Sequence, residues 1–509
     1  MTTSLPDVTN PRRSTLVAAA LVLLGTVLRM GQLFSVEFKL DEQEAVNLGL
    51  RLLDARPWAT SAPWPATGMR SSQGILNAPL FNYFMALFWA LTGAVASATG
   101  MVGLFNAAAL VPFYRWCRAL FAPRVALLAL GAAALSPFAI IYSRKLWAQD
   151  LLFPFLVLLM WGLWWIHQRR FWWGLAASGL AMACISQLHQ SGPFMALVLG
   201  LLLGIHLVRG RRKHGSFDFV PRAGPWDAMA CLLVVQLWLF LWIPYLRYLL
   251  GLPPNALANR PKLDFVWPAL LWKLALQLVP YDLFTFFEPH QSQFFTQWSS
   301  APIAAFFRLG GFAVACAVGA VLGLWGFWGW ARRPSSVPFA GVLWWLVVVV
   351  FTAMRILGHP HYVLILAPLP SLMVAGAFDP PALSERVASI LHTLRWAYLA
   401  ALLCLGVGTQ AWLVSRGGAE GDYGIMYGVR EAQARAALAL NAGEPHPDEM
   451  LVIPEEKART GGCNEVGGEV TWLIRQWKGE AFQVSKDVKL CQLWYDVPGG
   501  KQYGWRVIR

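Results

Sequence analysis

From Leu309 to Ala331 the sequence runs without one charged side chain, and it does the same over Val125–Tyr142, Phe171–Leu188, Ala228–Tyr245, Val337–Met354 and Trp396–Val414. Uncharged apolar stretches of roughly 20 residues match the hydrocarbon thickness of a bilayer, and a water-soluble core has no room for so many. Composition agrees: 57% of residues are hydrophobic and only 13% charged, against about 25% charged in soluble domains. The 27 tryptophans suit an interfacial belt. The net charge of +14 comes with no basic helix or RNA-binding motif. It is therefore read as loop charge facing anionic lipid, and a nucleic-acid partner is excluded.

Lys and Arg between the spans set a topology. Arg12 and Arg13 precede the apolar Thr15–Leu28. No small-x-small cleavage site follows, so this reads as an uncleaved first helix with a cytoplasmic N-terminus. The next segment, 35–90, is then an outer loop rich in Pro and Trp. Pro79–Leu91 within it is too short to span and reads as interfacial or re-entrant; a spanning helix there would put Arg115, Arg118 and Arg124 outside. With that choice the remaining spans alternate. Arg169, Arg170, Arg209, Arg211, Arg212, Lys213, Arg332 and Arg333 fall inside, a second long loop (251–302) falls outside, and Pro380–Arg395 forms a cytoplasmic amphipathic linker before the last span. About eleven spans result. The expected fold is an all-α polytopic membrane domain over 1–414 with juxtamembrane helices, followed by a small soluble α/β domain over 415–509 on the outer side. Glu469–Ile474 and Gln492–Val497 read as strands of that domain. Cys463 and Cys491 are its only cysteines, and an isolated pair in an oxidising compartment points to a disulfide. The other five cysteines lie in or beside spans and read as small apolar residues.

The chemistry has to come from scattered polar residues. No Walker loop, dinucleotide fingerprint, nucleophile elbow, HExxH motif or metal-type Cys/His spacing occurs. The stretch Leu40-Asp41-Glu42-Gln43-Glu44-Ala45 puts three carboxylates at the start of the first outer loop, where a carboxylate next to the membrane is costly to desolvate. The same face collects Arg70, Arg144, Lys145, Asp150, His189, Arg355, His359 and His361. Carboxylates of this kind can orient or deprotonate a nucleophile, and the cations can hold a phosphate leaving group.

Four features carry a resemblance. They are the Asp41-Glu42 pair in a long first outer loop, and Gly74-Ile75-Leu76-Asn77-Ala78-Pro79-Leu80 closing that loop. The third is Ser136-Pro137 followed by Tyr142-Ser143-Arg144 and Asp150. The fourth is His361-Tyr362-Val363-Leu364 ahead of Pro368 and Pro370. In this order they resemble the GT-C superfamily of polyprenyl-phosphate-sugar glycosyltransferases, above all glycosyltransferase family 39, which includes the protein O-mannosyltransferases and is related to the lipid A aminoarabinose transferases. Gly421-Asp422-Tyr423-Gly424 and Tyr427 are similar to members of this group too. The resemblance implies a glycosyltransferase of the bacterial inner membrane. It would take a sugar from a polyprenyl-phosphate donor, with inversion, to a glycan, lipid or protein acceptor on the periplasmic side. It makes Asp41 the catalytic acid/base and Asp150 a second active-site carboxylate, with Glu42, Arg70, Arg144, Lys145, His189, Arg355, His359, His361 and Tyr362 around the substrate. His361 stands where the family usually has Arg. A divalent cation between Asp41, Asp150 and a histidine is left open. The rival is a lipid-linked sugar flippase, which should show repeated halves; no repeat is visible. An O-antigen ligase should gather its Arg and His in one late outer loop.

Overall fold

The computed structural model describes residues 11–54, 67–69, 76–168, 170–190, 192–214, 222–252, 302–332, 364, 367–379, 383–419, 423–444, 463–479, 481–497 and 500–508. The chain is mostly helical. In order come α1 (Pro11–Met30), α2 (Leu40–Asp54), α3 (Leu80–Thr92), α4 (Val95–Leu120), α5 (Pro123–Leu135), α6 (Pro137–Tyr142), a 3-10 turn at Ala148–Leu151, α7 (Leu152–His167), α8 (Phe171–Leu188), α9 (Gly192–His214), α10 (Pro225–Leu250), α11 (Pro302–Arg332), α12 (Pro368–Ala375) and α13 (Glu385–Arg416). Among the described residues seven helices are long and apolar enough to cross a membrane. The expected span Val337–Met354 and the loop 253–301 lie outside the described residues.

Two local features differ from the sequence reading, and a third agrees with it. Val125–Tyr142 is broken rather than one span. Ser136 ends α5 and caps α6, its Oγ accepting from the Ala139 amide at 3.3 Å, and Pro137 opens the new helix, the position where a missing N–H costs least. From Glu385 on, the expected linker and the last span are one continuous helix, α13, capped by Ser384. Pro79–Leu91 forms the short helix α3, which packs along α2.

The bundle is close-packed where it needs to be. α1 lies on α4 and α5, α7 runs along α8, α10 lies on α8, and α11 runs along α13. At the α7–α8 crossing two glycines face each other. A Cβ on Gly174 would come within 2.6 Å of the Gly162 carbonyl, so this pair of backbones touches as small residues allow in membrane bundles. α10 exposes Leu232, Leu239, Leu246 and Leu250, an apolar surface suited to lipid tails. At the end of the bundle that carries Arg115, Arg118 and Arg124, Arg395 donates to both oxygens of Asp379 (2.8 and 2.7 Å) and to the Val374 carbonyl (2.9 Å). Trp325 adds an indole donor to the same carboxylate (3.0 Å). This network ties α11, α12 and α13 together.

The C-terminal segment continues from α13 as β1 (Gly418–Ala419), β2 (Gly424–Ile425), α14 (Tyr427–Ala442), β3 (Cys463–Glu465), α15 (Gly468–Lys478), β4 (Lys489–Val497) and β5 (Gly500–Ile508). β3, β4 and β5 form an antiparallel sheet in that order. Cys463 and Cys491 are register partners in it and are disulfide-bonded, with Cα atoms 4.1 Å apart. Gln492–Val497 lies in a strand, but Glu469–Ile474 is helical. Val470, Trp472 and Ile474 alternate as a strand would, yet Val470, Leu473 and Ile474 also make one helical face. Burial of all four side chains, with Glu469 in the first turn and Arg475 and Lys478 in the last, favours the helix.

Candidate functional site

The site lies at the end of the bundle opposite Arg115, Arg118 and Arg124, where α1 stops, α7 starts, and α8 and α13 end. Its foundation is the guanidinium of Arg144, which is 3% exposed. Nη1 donates to the carbonyls of Gly31 and, at 3.3 Å, Leu28. Nη2 donates to the carbonyl of Gln32 and to Ser35 Oγ, both at 2.8 Å. Gln32 sits in the left-handed region at φ 51°, so these donors hold a tight turn of the chain as it leaves α1. Burial pushes the Arg144 pKa down, while the nearby Tyr423 works the other way. Tyr423, its own pKa pushed up by burial to about 12, donates its hydroxyl to the Ser35 carbonyl. Gln410 donates to the Leu28 carbonyl at 2.9 Å.

The next residues are gripped by the C-terminal segment. Glu37 bridges Met426 in antiparallel fashion. The Phe38 amide donates to Ile425 O at 3.1 Å and the Tyr427 amide to Val36 O at 2.8 Å. The Phe38 ring packs on Tyr427 and Trp472, and the Trp472 indole donates to Asn47 of α2 at 2.7 Å. α2 is thereby held at its start and near its middle, and its first turn carries the acids.

Charge is concentrated just there. Glu37 is fully buried and pairs with Lys39 (2.6 Å) and with the fully buried Lys145. Lys145 Nζ lies 3.8 Å from the Trp147 ring centroid and Lys39 Nζ 5.2 Å from it, distances at which an ammonium gains from the ring quadrupole. Glu42 is also fully buried. Its Oε2 accepts from the Lys39 amide at 3.1 Å, a helix-capping bond, whereas Oε1 has no hydrogen-bond partner among the described residues. Burial, reinforced by Asp41 and opposed chiefly by Lys39, pushes the Glu42 carboxyl up to about 7. Asp41 itself is half-buried.

Asp150 repeats the pattern from the second loop. Its Oδ2 accepts from the Trp147 amide at 3.0 Å and its carbonyl accepts from Asn106 at 2.7 Å, but Oδ1 has no hydrogen-bond partner among the described residues. Asp150 is 3% exposed. It borders a cavity with about 60 Å³ of room for water-sized molecules, lined also by Arg29, Asn106, Tyr142, Gln149 and Tyr398. Asp150 is within electrostatic reach of both Lys145 and Glu42.

Of the residues singled out in the sequence, Glu42, Arg144, Lys145 and Asp150 come together here, with Asp41 beside them. His189 is buried where α8 ends, next to the 3-10 turn at Ala148–Leu151. Asn77 of the loop-closing motif accepts from Gln190 at 3.2 Å. Arg70, Arg355, His359, His361 and Tyr362 lie outside the described residues. Glu37, Lys39, Trp147 and Tyr423 were not anticipated as site residues. Glu37 and Lys39 left a signal, two charges in a largely apolar loop entrance, four and two residues ahead of Asp41. Among the described residues no three of His, Cys, Asp and Glu gather as a metal site would require.

Fold and site together define a helical, membrane-spanning protein with a buried, mixed-charge polar site at one end of its bundle. No family model and no curated protein matches the sequence. Solved structures do. ArnT from Cupriavidus metallidurans, solved bound to undecaprenyl phosphate, is similar at 15% identity and a TM-score of 0.48, covering 87% of this chain and 82% of its own. The archaeal oligosaccharyltransferase AglB from Archaeoglobus fulgidus, solved with an inhibitory peptide and a dolichol-phosphate, is similar at 13% identity and a TM-score of 0.42 over 87% of this chain. The match spans 61% of AglB, under two thirds of its length. Both matches lie below 25% identity and below a TM-score of 0.5. They are similarities of chain path at low identity, and what this protein does has to come from its own residues.

Proposed function

We propose that the protein is a membrane glycosyltransferase that moves a sugar from a polyprenyl-phosphate donor to a hydroxyl of a glycan, lipid or protein acceptor, with inversion, on the non-cytoplasmic side. The observation that carries this reading is the pair of buried carboxylates, Glu42 and Asp150. Each is anchored through one oxygen and bare at the other, and both stand beside lysines at the end of an apolar bundle. Acids held this way can take a proton from an attacking hydroxyl. The apolar helices below offer a polyprenyl tail its solvent, and Lys39, partly exposed, is placed to offset charge on a phosphate at the rim. The Asp41–Glu42 pair supplies the proton acceptor and Asp150 orients the reacting groups. Arg144 contributes indirectly, since its donors are taken by the turn after α1. ArnT and AglB, each solved with a polyprenyl phosphate, are in keeping with such a donor.

The test is purified protein in nanodiscs with a short-chain polyprenyl-phosphate sugar. Wild type should release the polyprenyl phosphate, and the double variant Asp41→Asn/Glu42→Gln should do so about 10²–10⁴-fold more slowly while binding the donor as well as wild type. Movement of intact donor across proteoliposomes, with the sugar–phosphate bond never broken, would instead establish a flippase.

A further inference from the structure

Glu37, Glu42 and Asp150 are three buried carboxylates linked, among the described residues, through two lysines, Lys39 and Lys145. Glu37 takes an ion pair from both lysines. Lys39 also acts on Glu42 and Lys145 on Asp150, and the charge of Glu42 acts on Asp150. Burial and, to a smaller extent, Glu42 push the Asp150 carboxyl up, as burial and Asp41 do for Glu42. Each also keeps one buried oxygen, Glu42 Oε1 and Asp150 Oδ1, without a hydrogen-bond partner among the described residues. A capping role alone accounts for the other oxygen of each and leaves these two unexplained. Asp41 differs: it is half-buried and sits one residue away, where its charge acts on Glu42.

Within the sugar-transfer reading above, on which this rests, we propose that Glu42, not its neighbour Asp41, takes the proton from the acceptor hydroxyl, with Asp150 as the second carboxylate of the pair. As the hydroxyl oxygen bonds to the anomeric carbon, its proton passes to Glu42 Oε1. The bond from the anomeric carbon to the phosphate oxygen breaks, and its electron pair leaves with the polyprenyl phosphate. The Lys39 amide, still bonded to Oε2, holds the carboxylate in place throughout. Asp41 tunes Glu42 through its charge.

Among the described residues, the charged and titratable groups within electrostatic reach of Glu42 are Lys39 and Asp41 from its own loop, Asp150 from the second loop and Tyr423 from the C-terminal segment. Glu42 must be ionised to act, so turnover by wild type should rise with pH and level off above about 7. The experiment is the pH profile of polyprenyl-phosphate release, at saturating donor, for wild type, Glu42→Gln, Glu42→Asp, Asp41→Asn and Lys39→Met, with donor binding measured alongside. Glu42→Gln, which can still accept the Lys39 amide bond, should bind donor, lose about 10²–10⁴-fold in rate and lose the rising limb. Glu42→Asp should regain part of both. Asp41→Asn should keep the limb and move its midpoint to lower pH, because a negative neighbour is gone; Lys39→Met should move it to higher pH. A Glu42→Gln enzyme with the wild-type limb, or an Asp41→Asn enzyme that has lost it, overturns the assignment to Glu42. Wild type that never breaks the sugar–phosphate bond overturns the sugar-transfer reading and this assignment with it.

Discussion

Arg144 was expected to clamp a phosphate, and its surroundings give it a different task whose removal has a calculable cost. Arg144→Met keeps much of the stem and deletes the guanidinium. Three carbonyls (Leu28, Gly31 and Gln32) and the Ser35 hydroxyl lose a donor. The Leu28 carbonyl keeps the Gln410 donor and the Gln32 carbonyl keeps the Ser35 amide and hydroxyl. Among the described residues the carbonyl left unsatisfied is therefore that of Gly31, and the net loss should be about 1–3 kcal/mol. Arg144→Lys places three donors on one nitrogen and cannot span the same acceptors, so it should recover about half. The assay is thermal unfolding in detergent or nanodiscs, with limited proteolysis between residues 31 and 39. For domains of 150–250 residues each kcal/mol is worth about 2–4 °C, and a drop of several degrees is expected, with the turn becoming cleavable. Turnover should fall in proportion to the unfolded fraction, and surviving folded protein should bind donor normally. If Arg144→Met melts with wild type but loses donor affinity, the guanidinium leaves its carbonyls to hold phosphate, and the reasoning here fails.

Two further outcomes are expected. Reduction, or Cys463→Ser, should weaken the β3–β4 junction by about 2–4 kcal/mol, read as faster proteolysis of the C-terminal segment with the membrane helices intact; equal protease resistance would remove any stabilising role for the bridge. Gly376 has φ +87°, and a Cβ there would sit 2.6–2.7 Å from the Arg395 guanidinium and the Asp379 carboxylate, so Gly376→Ala should destabilise by about 1–3 kcal/mol in a thermal melt, and an unchanged melt would show that α12 shifts without cost.

The long helices among the described residues, the short helix α3 and strand β4 could be read from the chain because each depends on local pattern: uncharged length, insufficient length, alternation; the break of Val125–Tyr142 at Ser136 could not. Asp41, Glu42, Arg144, Lys145 and Asp150 could be picked out because charge is conspicuous in so apolar a sequence. Their roles could not be. Whether Arg144 faces a ligand or a turn depends on where residues 28–35 run, a matter of contacts more than a hundred positions apart. Nor could sequence alone decide which of two adjacent acids is buried: Glu42 faces the bundle and Asp41 its edge because of how α2 is rotated, and that rotation is set by Trp472 and the chain at 425–427. The α15 segment was misread for a related reason, since six residues fit both periodicities and docking chose between them.

The first loop and the last segment of the chain complete one another. The Tyr423 hydroxyl bonds the Ser35 carbonyl across 388 residues of sequence, and Val36 and Phe38 find their backbone partners at residues 425–427. During synthesis Ser35 emerges early and Tyr423 late. At about 5–20 residues per second the interval is roughly 20–80 s. Throughout it the backbone groups of residues 35–38 wait without their final partners, and α2 without the contact that fixes its rotation. The acidic turn is therefore assembled last, after the membrane helices are in place.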